Sequence, residues 1–121
     1  MRWKSVENPP FLIDTSHVKS EAKIRAWQQL KNELTIGEVI TGRVFTQAIL
    51  GVFFDAGVGF PVRMNITDFG KETVHGMQFP EDYPALNSII TGKRAGFDDG
   101  NYQVVVRKLE EDASYYQSAS V

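Results

Sequence analysis

The amino-acid sequence predicts a mainly β chain: a small closed barrel of five antiparallel strands, preceded by one amphipathic helix. Three observations predict it. Residues 17–34 run without Gly or Pro and repeat apolar side chains at three- and four-residue spacing, which is the mark of a one-sided helix. From Gly37 to Leu109 the chain breaks into short runs rich in Val, Ile, Phe and Thr, bounded by Gly, Asp and Asn, which is strand and turn chemistry. The length, 121 residues with 42% hydrophobic and 23% charged, suits a single globular core. Folding at this size removes roughly two-thirds of the unfolded surface from water, so no covalent staple is needed.

Taken in order, residues 1–16 form an N-terminal arm. Asn8-Pro9-Pro10 cannot lie inside a helix, and Phe11-Leu12-Ile13 follows as a short apolar run that packs onto something or belongs to a partly ordered end. Asp14, Thr15 and Ser16 are N-cap residues for a helix over 17–34, whose Ile24/Trp27/Leu30/Leu34 stripe should cover an apolar surface. Strands are expected at Val39–Phe45, Leu50–Asp55, Phe60–Ile66, residues 86–97 and Tyr102–Leu109. Gly57-Val58-Gly59 reads as a tight turn. Asp99-Gly100 carries the signal of a two-residue type I′ hairpin. Gly92 and Gly96 inside the fourth strand suggest a bulge or sharp bend, as barrel corners require. The 68–84 connection is long for a small barrel and is a candidate functional loop. The barrel domain thus occupies 36–109, and 110–121 is an acidic tail.

Charge and composition exclude several classes. No cysteine is present, so disulfides, thiolate zinc sites and a cysteine nucleophile are out. No apolar run approaches the ~18 residues of a membrane span, and the N-terminal Met-Arg-Trp-Lys lacks the apolar core of a secretion signal; the expected location is cytoplasmic. The net charge of −2 gives no global field to recruit nucleic acid, so such binding needs a local patch. Residues 1–36 carry six Lys/Arg against four Asp/Glu, residues 37–109 seven against eight, and the last twelve three acids and no base. His17 and His75 belong to no ligand-spaced cluster, and no phosphate loop or nucleophile motif occurs. Asp98 and Asp99 read as turn residues that bond local backbone rather than as an acid/base pair. No metal, no cofactor and no enzymatic activity are expected.

Gly37-Glu38-Val39-Ile40-Thr41-Gly42-Arg43-Val44 resembles the first strand of the S1-like RNA-binding domain, whose pattern is G-x-V-x-x-G-x-V. Gly51-Val52-Phe53-Phe54-Asp55 resembles that family's second strand, and Gly96-Phe97-Asp98 with Val104-Val105-Val106 its closing hairpin. The resemblance covers 37–109 best and 20–36 loosely. It implies an OB-fold barrel that binds single-stranded RNA on one face, with aromatic rings stacking on bases and cations meeting phosphates.

Strand alternation turns Phe53, Arg63, Asn65, Thr67, Gln103, Val105 and Arg107 outward. Phe53 matches the family's stacking phenylalanine, Asn65 the position of a stacking histidine, and Asp98 an aspartate near the closing hairpin. Leu50 stands where many members carry a second phenylalanine, and Val62 after Pro61 replaces a glycine. The candidate nucleic-acid-binding residues are Phe53, Arg63, Asn65, Arg43, Lys93 and Arg107. Phe53 has two readings, a base-stacking ring or a ring that is packed or covered by the helix. Arg43, Arg63, Lys93 and Arg107 likewise form a phosphate track or are ordinary strand-edge charges. Trp3, Phe11, Tyr115 and Tyr116 in the two termini point to arms that fold back on the barrel or meet a partner.

Two functions follow as expectations. The first is a weak, largely sequence-tolerant single-stranded RNA-binding module. The alternative is a protein-interaction or regulatory module on a barrel that has lost RNA binding, using the 68–84 loop and the terminal arms to meet a protein partner or a second copy.

Overall fold

The computed structural model describes residues 3–11, 19–69 and 77–108. In chain order they form β1 (Trp3–Ser5), α1 (Glu21–Glu33), β2 (Val39–Ala48), β3 (Gly51–Asp55), β4 (Val62–Asn65), a 3-10 turn over Ile66–Asp68, β5 (Ile89–Asp98) and β6 (Gln103–Lys108). The proposed helix caps at Asp14–Ser16, together with Leu12, Ile13, His17, His75, Tyr115, Tyr116 and the acidic tail, lie outside the described residues.

The sheet runs β2-β3-β4-β6-β5 and closes through a β2–β5 pairing, the strand order of an OB-fold. One expectation needs correction. The barrel is not wholly antiparallel, because β4 and β6 pair in parallel, Val62 with Val104 and Met64 with Val106. A ring of five strands cannot alternate direction all the way round, so at least one neighbouring pair must run parallel. Here β5 pairs with β2 instead of β4, and β6 closes against β4.

The ten-residue β2 is shared between two neighbours on one edge. Val39–Arg43 pair with β5, and Thr46–Ala48 pair with β1. The N-terminal strand thus covers the edge that β5 leaves open, which removes a row of unpaired backbone groups. A bulge between Val44 and Thr46 bends β2 between these two pairings. At Gly42 an added β-carbon would lie 2.4 Å from the Asp55 carbonyl oxygen and 2.6 Å from the Phe54 ring. Only glycine lets β2 pass so close to β3. The bend expected at Gly96 is present as a register shift between Arg94 and Gly96. Gly92 marks a close approach instead, its missing β-carbon facing Val106.

Val44, Val52, Phe54, Val62, Val104 and Val106 alternate along their strands and fill the barrel, fully buried. Helix α1 closes one end. Ser20 caps it, its side chain accepting from the Lys23 N–H, so the helix starts four residues later than expected. Of its apolar stripe, Trp27 and Leu30 are buried, Leu34 is half-buried and Ile24 is exposed. The Trp27 ring meets Phe60 at 5.0 Å, Phe97 at 5.4 Å and Tyr102 at 5.4 Å. Trp27 Nε1 donates to Asp99 Oδ1 at 2.7 Å, as does Lys31 Nζ at 2.9 Å.

The described part of the long connection plugs the opposite end. Tyr83 meets Phe69 at 5.4 Å and Phe79 at 5.1 Å, its hydroxyl donates to the Ile49 carbonyl, and burial raises its pKa above the ordinary value. Gln47 Nε2 donates to the Pro84 carbonyl at 2.9 Å. Residues 77–84 are therefore packed against the barrel end and do not form an open loop. The closing hairpin also differs from the two-residue expectation. Four residues join β5 to β6, and the left-handed conformation falls at Tyr102 (φ 55°). The Asp98 carboxylate sets this shape by accepting from the Asn101 backbone and side chain at 3.1 and 3.0 Å. No helix among the described residues is long and apolar enough to cross a membrane.

Candidate nucleic-acid interface

The outer face of the sheet follows from strand register, because residues directly paired across strands share a face. Ser5 pairs with Thr46, Thr46 with Phe53, Phe53 with Arg63 and Arg63 with Val105. The Ser5 and Thr46 hydroxyls hydrogen-bond across the strands at 2.8 Å, which fixes the side on which this row stands. The alternate residues Val52, Phe54, Val62 and Met64 point into the core.

The neighbouring row on that face runs Trp3, Ala48, Gly51, Asn65. One residue past the Met64–Val106 pair, the same parallel register sets Asn65 beside Arg107, which pairs with Lys93. Two adjacent outer rows thus hold five of the six candidate residues.

The six are not equivalent. Phe53 faces outward as expected but is only 8% exposed, so it is no open platform. The ring contacts of α1 lie at the barrel end, around Trp27. Arg63 Nη1 donates to Asp98 Oδ2 at 2.7 Å and to Gln103 Oε1 at 2.8 Å. Partial burial pushes the Asp98 pKa up, but the hydrogen bonds from Asn101 and Arg63 and the Arg63 charge outweigh it, and the net shift is down. Asp98 is therefore a neutralised anion on this face.

Arg43 is set apart. It pairs with Asp55 and Ile89 and donates to the Asn87 carbonyl at 2.7 Å. Asn65, Arg107 and Lys93 come together. The Asn65 side chain makes no hydrogen bond to the 3-10 turn that it precedes, and Arg107 is exposed. Arg94 does not join Lys93 as a basic pair; its guanidinium lies over the Phe97 ring at 4.1 Å.

Sequence reasoning missed one member of this face. Trp3, an arm residue by its sequence position, is an outward residue of β1, 39% exposed. A three-residue strand has too few positions to show alternation, so no periodicity could have placed it. Leu50, where a second phenylalanine was compared, is 74% exposed at the β2–β3 turn.

Among the described residues no group of three His, Asp or Glu side chains could hold a metal ion. Asp99 belongs to the helix end, where hydrogen bonds from Lys31 and then Trp27 lower its pKa.

No family model and no curated protein matches the chain. Among solved structures it is similar to the solution structure of GSP13 from Bacillus subtilis, at 15% identity and a TM-score of 0.53, over 66% of this chain and 59% of that one. At that identity the likeness is one of fold, and it agrees with the closed barrel and strand order described above.

Proposed function

We propose that this chain is a non-catalytic binding module that holds single-stranded nucleic acid, RNA in the S1-like manner, along the outer face of β3, β4 and β6. The observation that carries the reading is the convergence of Asn65, Arg107 and Lys93 on one outer row. An amide can read a base edge, and two cations meet phosphates without sequence preference. The Arg63–Asp98 pair contributes by cancelling a carboxylate that would otherwise repel the strand from this face. With about two phosphates neutralised, the salt slope for a single strand is roughly −1.4, which makes the binding weak and salt-sensitive.

The test is fluorescence anisotropy of labelled single-stranded RNA at about 50 and 200 mM salt, where a slope near −1.4 weakens binding about sevenfold. Arg107→Ala should lower the slope by about 0.7. No binding at ~100 μM protein in low salt, the weak end of non-specific affinities, overturns the reading. The protein-interaction alternative draws on the covered Phe53 and on Arg43 and Arg63, whose guanidinium groups are engaged within the chain. It predicts the same null titration together with a complex larger than one chain in light scattering.

A further inference from the structure

We propose that Trp3 is the ring on which a nucleotide base stacks, so that β1 extends the binding face beyond the five-stranded barrel. The inference rests on the nucleic-acid reading above and names a residue that the reading does not require. The two tryptophans differ sharply in setting. Trp27 is 1% exposed inside an aromatic cluster, whereas Trp3 is 39% exposed. Trp3 stands in the row Trp3–Ala48–Gly51–Asn65, and the two positions between its indole and the Asn65 amide carry the smallest side chains.

Gly51 cannot be enlarged, because a β-carbon there would lie 2.3 Å from the Met64 carbonyl oxygen and 2.9 Å from the Asn65 α-carbon. The row is therefore a trough with an aromatic wall at one end and an amide at the other. Three strand spacings separate the ends, roughly 14 Å along the sheet. Arg107 and Lys93 continue the same row past Asn65, which gives the trough a cationic end for the backbone of a strand whose base lies against Trp3.

This sequence of chemistries fits single-stranded nucleic acid better than an apolar peptide, which would leave the amide and both cations unused. Phe53 on the adjacent row is covered, so among the described residues of these two rows the exposed indole is the aromatic surface open to a base. Every base has a π-face, and such stacking is sequence-tolerant.

The experiment titrates the full chain and its Trp3→Leu and Trp3→Phe variants into a labelled oligouridylate of about 12 nucleotides, within the site size of one OB barrel. Leucine keeps an apolar residue on β1 but cannot stack; phenylalanine can. Trp3→Leu should weaken binding by about 5- to 150-fold, the range of one lost stack, with an unchanged salt slope because Trp3 touches no phosphate. Trp3→Phe should recover most of that loss, and both variants should melt with the parent. Tryptophan emission of the parent should fall on binding, and that change should vanish in Trp3→Leu, which retains Trp27. Binding by the parent and by Trp3→Leu with equal affinity overturns the role of Trp3 and leaves the nucleic-acid reading standing. Absence of binding by the parent overturns both.

Discussion

Asp98 and Asp99 are adjacent in sequence and serve opposite ends of the molecule's chemistry. Asp98 turns to the sheet face and holds Arg63 at 2.7 Å, both side chains about one-fifth exposed. Asp99 turns to the helix-capped end and accepts from Trp27 and from Lys31, with its own side chain 63% exposed. The same division separates the two tryptophans. At the helix end three rings pack around Trp27; on the sheet face Trp3 stands partly in solvent. One region uses aromatic and charged residues to close a core. The other leaves Trp3 partly outside, where burial gives no reason for it, and the proposed binding reading rests on that contrast.

The largest expected effect tests the helix end. Trp27→Ala removes a fully buried indole and orphans part of the Asp99 hydrogen bonding. It should cost about 3–5 kcal/mol, against a total stability of about 5–15 kcal/mol for a folded domain. Urea unfolding measures it. The same change at Trp3 should cost roughly 1 kcal/mol or less. Equal costs at the two sites would erase the contrast.

The next prediction concerns Arg63. If Arg63 acts by neutralising Asp98, Arg63→Ala bares a carboxylate on the face and weakens RNA binding several-fold, while the Arg63→Ala/Asp98→Ala double variant recovers it. If Arg63 grips a phosphate directly, the double variant stays weak and the salt slope falls by about 0.7. In stability, each single variant should cost about 1–3 kcal/mol, because each leaves a partly buried polar partner unsatisfied. The pair should be non-additive, as groups in contact are.

The residues that were legible in the sequence and those that were not differ for physical reasons. Val44, Val52, Val62, Val104 and Val106 announce themselves by alternation, and their inward placement follows from local geometry alone. Turning Arg63, Asn65 and Arg107 outward needed only the same rule. What a side chain does once outside depends on neighbours far away in the chain. Arg63 is engaged by residues 35 and 40 positions distant, and Trp3 gains its place only through pairing with Ala48. The parallel β4–β6 pair could have been foreseen, since the parity of a five-stranded ring demands it. The type I′ hairpin signal at Asp99-Gly100 failed because Asp98 holds Asn101 and Asp99 is drawn to the helix, so side-chain bonds outside the two-residue turn decide its shape.

Acid should reveal the two aspartates together. Both have folded pKa values below the ordinary carboxylate value. A depressed folded pKa contributes stability that is present above the unfolded pKa and lost as pH falls through the folded one. Unfolding midpoints should therefore hold from neutrality down to about pH 4 and decline below it, since unperturbed Asp titrates near 3.9. Asp98→Asn and Asp99→Asn should each flatten part of that decline. An unchanged profile in both variants would place the acid sensitivity elsewhere.

The smallest effect separates the two ion pairs. Lys31 and Asp99 are joined at 2.9 Å, but Asp99 is mostly in solvent, and exposed pairs contribute only about 0.2–1 kcal/mol. Lys31→Ala also leaves Asp99 its bond from the Trp27 indole, so no buried charge is stranded. Its cost should sit in that range at low ionic strength and shrink towards zero near 1 M salt, where the screening length falls to about 3 Å. The Arg63–Asp98 pair, less exposed on both sides, should lose far less of its contribution over the same salt range. Were Lys31→Ala as costly as Arg63→Ala and equally indifferent to salt, the Lys31–Asp99 bond would be a structural clamp of the same rank as the pair on the sheet face. The helix would then be held to the barrel by charge as much as by the packing of Trp27.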